Sequence, residues 1–543
     1  MPGNTDSSSR PSSVACLPCR HRHVKCDAVM PACTRCRATS TECQYVRSRR
    51  GLRNHGRKSS PKALDEAVFS IGADTLPDWL DTGCLSDLSI DATQTALLQP
   101  HDGSILQGFS IDDTLGLSEA DLVTPQVAYD PMIQLYYENF HPSHPLMVPR
   151  KALGTSLCFL IPSQLLSVMR YIGAHYYPDP SLKQAFRQAA FNASLDKSVE
   201  GGFKVQALLL LAITDHSHCH EQSAHRLIQT AVDLALEIGL NRRQYASEHS
   251  YGHAVLEESW RRTYWELYVV DGLLAAMQDQ SLFRLYHQPA NVQLPCGEKM
   301  YKCDNVIPSG QTLEDLQNNW TLGQDFPTFA YRISAMQKLG AVLGLDRSLE
   351  DSVESRIETI DAHIVSSLMV LPPLHGESYD SSCHDEMIFQ AQMILYLALI
   401  YLHHPRSGMR FASFHAKPPT ACTRVELLAR STGQSHCDSE ISPSQTLDLH
   451  SHKLLRAADL LSGLATLPSA IHRRTPFFTC ALAMCFIVHT AALLVVVGSE
   501  KEEAVRARIQ LSIGGLKVLG RTWPLSESVR QQMVDMYQEV VGK

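Results

Sequence analysis

Apolar residues recur at steps of three and four positions from about Tyr129 onward, which is the spacing of one face of an α-helix. The pattern is clearest in four segments, 202–213, 223–240, 253–277 and 391–405. Gly239 fits the end of the second of these helices. The pattern therefore predicts a large all-α body over residues 129–543.

The third of these helices carries four large side chains on adjoining faces: Trp260, Tyr264, Leu267 and Tyr268. We interpret them as core, and a pocket for a small-molecule effector among the aromatic rings is the alternative. Ion pairs at three- and four-residue spacing are expected in the same helix among Glu257, Glu258, Arg261 and Arg262.

The apolar run 480–498 reaches the roughly 18-residue length that a membrane span needs. It contains His489 and Thr490 near its centre and has helical sequence on both sides. It is predicted to be a fully buried core helix, and no membrane partner is expected. The start of the chain has no apolar run behind a basic flank, so no secretory signal is expected either.

The segment 214–225 is rich in metal-ligand residue types: His216, His218, Cys219, His220, Glu221 and His225. In the zincin pattern two histidines four positions apart share one helical face, whereas His220 and His225 are five apart. A polar loop between helices is therefore predicted here, with a second metal site as the alternative.

Charge is divided unevenly along the chain. The 543 residues carry a formal net charge of −8, yet residues 1–62 contain 13 Lys and Arg against 3 Asp and Glu. Residues 63–149 contain 14 acidic residues and no Lys or Arg. A basic head followed by an acidic stretch indicates an end of the chain that binds a polyanion.

Residues 63–128 combine this acidity with scattered large apolar residues and are predicted to be largely disordered. A segment that keeps its apolar side chains available to a partner and a plain acidic spacer are both open interpretations. Proline and glycine residues interrupt every candidate heptad between positions 60 and 130, so dimerisation through a coiled coil is not expected there.

Six of the sixteen cysteines lie within 28 positions: Cys16, Cys19, Cys26, Cys33, Cys36 and Cys43. Their spacing, C-x2-C-x6-C-x6-C-x2-C-x6-C, consists of two nearly identical halves in tandem. Thiolates suit zinc, and two tetrahedral ions need eight sulfur contacts, which six cysteines supply if two of them bridge. A single-zinc ribbon on Cys16, Cys19, Cys33 and Cys36 is the alternative. A disulfide framework is a further one, which a reducing compartment disfavours.

The run 15–43 resembles the fungal binuclear zinc cluster of transcription regulators. The resemblance implies two Zn²⁺ per chain, with the first and fourth cysteines bridging. One ion would then be held by Cys16, Cys19, Cys26 and Cys33, and the other by Cys33, Cys36, Cys43 and Cys16. A module this small has no hydrophobic core of its own, so its folding is expected to depend on the metal.

Basic residues beside the cluster are the candidate DNA contacts: Arg20, Arg22, His23, Lys25, Arg47, Arg49 and Arg50. A metal-held helix can enter the major groove, where Arg or Lys reads guanine. The resemblance implies CGG-like half-sites in double-stranded DNA, with Arg22 and His23 facing the bases, although lysine is more usual in the family where this chain has His23. Charge balance of the metal site is the alternative for the first group. A nuclear import signal or a solvated linker is the alternative for the run after Cys43.

The helical body resembles the middle homology region of the same regulators, the fungal-specific transcription factor domain. The residues that carry this resemblance are Ala224, Ala231, Gly239, Leu240, Arg242, Glu258, Arg261, Arg262, Tyr264, Trp265 and Asp271. The tripeptide G-R-P that usually follows Asp271 is absent, and QSLFRLYHQP stands in its place.

The sequence as a whole predicts a mainly α protein with five parts. They are a disordered start at 1–13, a Zn(2)-Cys(6) DNA-binding domain at 14–46, a basic linker at 47–62, the acidic segment at 63–128 and the helical regulatory domain at 129–543. The resemblance implies a nuclear regulator of transcription. The acidic segment favours an activator of RNA polymerase II genes, in a fungal metabolic gene cluster such as one for a secondary metabolite.

Several alternatives to this function stay open at the level of sequence. A regulator of a nutrient or catabolic pathway and a repressor are two of them. An enzyme or a scaffold with a zinc-cluster targeting module is another, but the sequence has no G-x-S-x-G, H-E-x-x-H, Walker or Rossmann motif, so no catalysis is expected. Pairing as a homodimer or with another zinc-cluster protein is also open.

Overall fold

The computed structural model describes residues 18–19, 24–27, 33–39, 126–195, 200–278, 282–302, 310–319, 326–345, 353–374, 385–409, 422 and 448–541. The predicted segments 1–13 and 47–62, and nearly all of 63–128, lie outside the described residues. So do eight predicted site residues: Cys16, Cys43, Arg20, Arg22, His23, Arg47, Arg49 and Arg50. The chain divides into two compact units, Met1–Ile90 and Asp91–Lys543.

In the first unit the helix α1 spans Thr34–Ala38, and the described residues 18–19 are also helical. In the second unit the helices are α2 Pro131–Leu135, α3 Ser163–Gly173, α4 Ser181–Leu195, α5 Gly201–Ser217, α6 Glu221–Glu237, α7 Arg243–Glu248, α8 Ala254–Met277, α9 Glu298–Lys302, α10 Leu313–Asn319, α11 Thr328–Leu343, α12 Val353–Met369, α13 Glu386–His403, α14 Leu449–Gly463, α15 Phe478–Val496, α16 Glu502–Leu519 and α17 Pro524–Val541. Every regular element among the described residues is helical, which confirms the mainly α fold.

Short turns of tighter or wider helix connect these elements. The 3₁₀ turns are Gln126–Tyr129, Arg150–Gly154, Ser156–Leu160, Ala174–Tyr176, His404–Arg406, Leu464–Thr466 and Ile471–Arg473, and Tyr136–Phe140 is a π turn. Such turns let consecutive helices change direction within a few residues while their backbone groups remain hydrogen-bonded.

Aspartate side chains begin three of the helices. Asp130 accepts hydrogen bonds from the N–H groups of Met132 and Ile133 at the start of α2. Asp385 and Asp448 play the same part at the starts of α13 and α14. These caps satisfy N–H groups that have no partner within the helix, so they fix where each helix begins.

The end of α6 follows the prediction made from Gly239. That residue has a φ of +75°, in the left-handed region that glycine enters without a steric penalty. Its N–H donates to Leu236 O at 3.2 Å, and the Leu240 N–H donates to Ala235 O at 2.8 Å. This pair of bonds is a Schellman motif, which satisfies the last carbonyls of the helix and turns the chain toward α7.

The centre of the second unit is formed by helices that are apolar on all sides. All sixteen residues from Phe478 to Leu493 in α15 are buried, and α15 packs against α13, α14, α16 and α17. Two helical stretches, Glu386–Arg406 and Phe478–Val496, are long and apolar enough to cross a membrane by length and composition, but 83% of each is buried inside the protein. The prediction of a buried core helix is therefore confirmed for residues 480–493, whereas Leu494, Val495 and Val497 at the end of the predicted run are exposed.

One local prediction is wrong in part. The segment 214–225 was expected to be a polar loop, whereas α5 continues through Ser217 and buries residues 214–217, and α6 already begins at Glu221. Only residues 218–220 connect the two helices. The hydroxyls of Thr214 and Ser217 donate to the carbonyls of Leu210 and Ile213, four positions earlier, at 2.8 and 2.7 Å. Because the helix backbone itself satisfies these hydroxyls, polar residue types do not end the helix here.

Candidate metal centre and nucleic-acid interface

The short helix α1 begins at the second half of the cysteine repeat. Cys33 is its N-terminal cap, and the Cys33 Sγ accepts a hydrogen bond from the N–H of Cys36 at 3.3 Å. The two side chains are 0% and 2% exposed. The helix backbone thus holds the Cys33 sulfur in place, and sulfur is the atom through which cysteine binds zinc.

Three cysteines from both halves of the repeat lie together. The sulfur atoms of Cys19, Cys26 and Cys33 are all within 4.8 Å of one another, and the Cys19 and Cys33 sulfurs are 3.8 Å apart. Two thiolates on one tetrahedral zinc, each bonded at about 2.3 Å, are separated by about 3.8 Å. The described residues therefore fit a zinc ion held by sulfur. In the described part of this module the buried cysteines pack against one other apolar side chain, Val24, so the metal would be the main cross-link between its segments.

The position of Cys26 separates the two zinc arrangements considered from the sequence. A single-zinc ribbon leaves Cys26 as an ordinary thiol, whereas the structure places it with Cys19 and Cys33. A disulfide between Cys19 and Cys33 is excluded, because a 3.8 Å separation is far longer than the bond of about 2.05 Å. The remaining two members of the predicted ligand set, Cys16 and Cys43, lie outside the described residues, so the full assignment of ligands stays a prediction.

A contact that the sequence did not suggest joins the two halves. The Thr34 N–H lies 3.2 Å from both carboxylate oxygens of Asp27, and the Thr34 hydroxyl also donates to Asp27. In the first half, the Val24 N–H donates to Cys19 O at 3.0 Å. Asp27 directly follows the third cysteine, so this link holds the end of the first half against the start of α1.

The described cations of the first unit are exposed. Lys25 lies directly before Cys26, and Arg35 and Arg37 lie on α1. Six thiolates around two Zn²⁺ carry a formal charge of −2, so cations near the cluster offset that charge and any excess attracts phosphate. Lys25 is the one predicted DNA contact among the described residues. Its side chain is exposed, so it is accessible to a DNA phosphate.

The predicted ion pairs of α8 are present and extend further than expected. Glu258 is fully buried and accepts from Arg261 Nε at 2.9 Å and from Arg262 Nε at 3.0 Å, while Glu257 accepts from Arg261 at 2.6 Å. Arg262 also reaches Glu298 of α9 at 2.7 Å. Burial acts to raise the pKa of Glu298, but the combined effect of Arg262, Lys302 and His141 outweighs burial and holds that pKa at about 2. A helix-surface pattern thus becomes a buried network that ties α8 to the chain around α9.

A second buried network was not predicted from the sequence. The Arg332 guanidinium on α11 donates twice to Glu266 on α8, at 2.5 and 2.8 Å, and His144 Nδ1 lies 2.8 Å from the same carboxylate. His144 Nε2 is 3.1 Å from the Thr475 hydroxyl. These residues are up to 331 positions apart, so no local spacing could have indicated the network.

The aromatic residues of α8 form core. Trp260, Tyr264, Leu267 and Tyr268 are at most 4% exposed. The Trp260 Nε1–H donates to His249 O at 2.9 Å, and its ring meets Phe203 with a centroid distance of 4.8 Å. The structure therefore supports the core interpretation of these side chains, although Tyr268 also lines a cavity of about 420 Å³ together with Tyr286 and Lys338.

The histidine-rich segment 214–225 does not converge on one point. His216 Nε2 is 3.5 Å from Cys480 Sγ, His218 Nε2 is 3.1 Å from the Nε2 of His175, and His225 Nε2 is 2.6 Å from Gln229. Each imidazole thus has its own protein partner, and among the described residues the segment does not supply a metal-ligand set by itself.

One cysteine pair in the helical unit departs from the expectation of reduced thiols. Cys480 of α15 is joined by a disulfide to Cys422, and their Cα atoms are 4.9 Å apart. That separation lies within the range that disulfides require. The two residues are 58 positions apart, so tertiary packing brings them together, and spacing in the sequence gave no sign of the pair.

Comparisons with known proteins match both units. The fungal Zn(2)-Cys(6) binuclear cluster domain matches residues 14–52, and the fungal specific transcription factor domain matches residues 133–357. The chain is also similar to the C6 finger domain transcription factor iacK of Pestalotiopsis fici, with 29% identity over 97% of this chain and 80% of that protein. No solved structure matches the chain.

The cysteine cluster and the buried network of α8 each lie within the range of one of the two matched domains. The binuclear cluster domain binds two zinc ions, and the sulfurs of Cys19, Cys26 and Cys33 are gathered inside the matched range. Domains of this class bind DNA. The second matched domain covers the helices from α2 to the start of α12, including the buried network of Glu258. The two domain matches in this order, with the similarity to a C6 finger domain transcription factor, support a fungal Zn(2)-Cys(6) transcription factor.

Proposed function

We propose that the chain is a sequence-specific DNA-binding activator that works in the nucleus on RNA polymerase II genes of a fungal metabolic gene cluster. The observation that carries DNA recognition is the gathering of Cys19, Cys26 and Cys33 with exposed Lys25 beside them. A rigid metal-held base with outward cations is what groove binding needs. The charge of the head supports the same conclusion, since 13 basic residues against 3 acidic ones favour a polyanion.

Each part of the chain has a role in this proposal. Residues 14–46 read CGG-like half-sites, with Arg22 and His23 toward the bases and Arg20 and Lys25 beside them. The basic residues of 47–62, Arg47, Arg49 and Arg50 among them, contact phosphates and direct import into the nucleus. The acidic segment 63–128 contacts the transcription machinery, and residues 129–543 regulate the whole.

The activating role rests on the acidic segment. Acidic residues keep scattered large apolar side chains solvated and available to partners, as in amphipathic activation segments. The stretch 74–81, DTLPDWLD, is the densest piece of this kind. A reporter gene under CGG-containing sites tests the sign: expression rises with the intact chain in the proposal, and falls if the chain is a repressor.

Binding to a labelled duplex tests DNA recognition directly. The full-length zinc-loaded protein is titrated with a duplex that carries two CGG triplets, and with one in which both triplets are scrambled. We expect tighter binding to the first duplex by a factor of about 10³ or more, because specific complexes generally exceed non-specific ones by that margin. Affinity should fall steeply with salt as condensed counterions are released.

Two controls make this experiment decisive. Chelation should abolish specific binding, and added zinc should restore it, because the head requires metal to fold. Equal affinity for the two duplexes, or binding that survives complete removal of zinc, would contradict the proposal. A scaffold that binds DNA weakly would show the first of these outcomes.

A further inference from the structure

A cavity of about 540 Å³ lies in the second unit, and none of its lining residues belongs to the buried networks of α8. Its wall is formed by the π turn Tyr136–Phe140, the 3₁₀ turn Ala174–Tyr176 with the residues that lead into α4, the 3₁₀ turn Ile471–Arg473, and the connection between α16 and α17. Ligand sites generally enclose about 300–1,000 Å³. The volume therefore suits a small molecule.

Two cations at the wall have no acidic partner in the described part of the chain. Lys183 of α4 and Arg521, after α16, both line the cavity, and no carboxylate of the described residues lies within 4.0 Å of either as an ion pair. Glu138 is the one acidic residue of the wall, and it is exposed. An anion that entered the cavity would find positive charge that the protein itself has not neutralised.

The histidines of the wall do not add to this charge at neutral pH. Burial, together with the smaller effects of neighbouring His218 and Lys183, lowers the pKa of His175 to about 3. Burial also lowers the pKa of His472, as do the adjacent Arg473 and Arg521. Both rings are therefore neutral hydrogen-bonding groups, and the cationic character of the cavity comes from Lys183 and Arg521.

Unused hydrogen-bond donors lie in and behind the same wall. The Tyr176 hydroxyl is buried and has no hydrogen-bond partner among the described residues, and neither has the fully buried Trp523 Nε1–H. The Trp523 ring is stacked on His175 at a centroid distance of 5.1 Å and meets Tyr176 edge-on at 5.9 Å. Buried donors without a partner are rare in folded proteins, and each such group calls for an explanation.

The rest of the wall offers contact area for a carbon skeleton. Leu135, Tyr177, Pro178 and Pro180 line the cavity beside the cations. An inorganic anion would use the charge and leave these surfaces uncovered. A molecule with a carboxylate at one end and an apolar body would use both, since sites of this type combine apolar lining with a few placed polar groups.

We propose that this cavity binds a small organic carboxylate, whose carboxylate group is held by Lys183 and Arg521. The Tyr176 hydroxyl donates a further hydrogen bond, and the carbon skeleton lies against Tyr177 and the adjacent prolines. The binding itself is independent of DNA recognition, whereas its role as the effector signal of the regulatory domain rests on the proposed function above.

Calorimetry on the full-length zinc-loaded protein tests this binding without any DNA. The probes are benzoate, phenylacetate and hexanoate, each paired with its neutral amide, together with inorganic phosphate. We expect at least one carboxylate to bind with a dissociation constant of roughly 1 mM or below. Its amide and phosphate should bind about tenfold more weakly or worse, because the first lacks the charge and the second the skeleton.

Variants place the binding in this cavity. Arg521→Gln and Lys183→Gln should each weaken the carboxylate by about tenfold or more, since each removes a charge-assisted hydrogen bond. The matched control is Arg226→Gln, because Arg226 is an exposed arginine on α6 that does not line the cavity. Thermal unfolding of each unliganded variant confirms that it is folded.

The results that would overturn the proposal are clear-cut. It fails if none of the three carboxylates binds, if the amides or phosphate bind as tightly, or if Lys183→Gln and Arg521→Gln leave the affinity unchanged in folded protein. None of these outcomes affects the DNA titration. Conversely, loss of specific DNA binding would remove the role as effector and leave the carboxylate site itself intact.

Discussion

At the scale of single residues, Cys33 connects the two halves of the metal module. Its sulfur is 3.8 Å from the sulfur of Cys19 in the first half and accepts the N–H of Cys36 in the second. A bridging ligand must reach metals served by both halves, and the contacts of Cys33 meet that requirement. The bridging role implied by the family resemblance therefore has a position in this structure that suits it.

Replacing Cys26 by serine tests whether the third cysteine of the repeat is a zinc ligand. A neutral serine hydroxyl is a much poorer zinc ligand than a thiolate. We expect Cys26→Ser to bind fewer than the two zinc ions of the wild type, as measured by native mass spectrometry, and to lose specific DNA binding. The control is Cys219→Ser, because Cys219 is exposed and lies in the helical unit. A Cys26→Ser protein with two zinc ions and unchanged affinity would show that Cys26 is not a ligand.

At the scale of elements, the spacing of residue types along the chain predicted the features that depend on residues close together in sequence. The bounds of α6 and α8, the stop at Gly239 and the ion pairs of Glu258 all follow from contacts within five positions. The buried state of α15 followed from its uniform apolarity. Contacts between distant residues, such as Glu266 with Arg332 or Asp27 with Thr34, could not be predicted, because chain spacing carries no information about which helices become neighbours.

Two glycine substitutions separate backbone conformation from packing. Gly239 has a φ of +75°, and a Cβ there would meet nothing closer than 3.5 Å, so Gly239→Ala should destabilise by about 1–2 kcal/mol through backbone strain alone. Gly514 lies inside α16 with open space around its Cβ position, so Gly514→Ala should stabilise by about 0.5–1 kcal/mol. Urea unfolding followed by tryptophan fluorescence measures both. Changes of the same sign in the two variants would contradict this account.

At the scale of the whole molecule, the two units differ in the burial of their ionisable groups. The first exposes its described cations, whereas the second buries charged and titratable groups among apolar helices. Buried Glu266 is held charged, since burial acts to raise its pKa but Arg332 and His144 bring it to about 2. Buried His141 and His216 are held neutral, because burial lowers the pKa of each to about 4. Stability of the second unit must therefore depend on pH in two separate windows.

The first window lies between pH 6.5 and about 4 and belongs to the histidines. An imidazole takes up a proton below pH 6.5 in the unfolded chain, but in the folded chain only below about 4. The unfolded state then binds more protons, so the free energy of unfolding falls as the pH falls through this range, by up to about 3 kcal/mol per histidine. The carboxylates contribute in a lower window, from about 4.5 down to about 2, since their folded pKa values are depressed.

A variant of one buried histidine separates this effect from other acid-sensitive groups. His141 Nε2 lies 3.1 Å from Met147 O, and the glutamine amide of His141→Gln can donate to the same carbonyl without titrating. We expect His141→Gln to lose less stability than the wild type between pH 6.5 and 4, in urea unfolding followed by the fluorescence of buried Trp260, Trp265 and Trp523. The matched control is His287→Gln, because His287 is exposed. If His141→Gln and His287→Gln showed the same pH dependence as the wild type, the buried imidazole of His141 would not be the group that couples protons to folding.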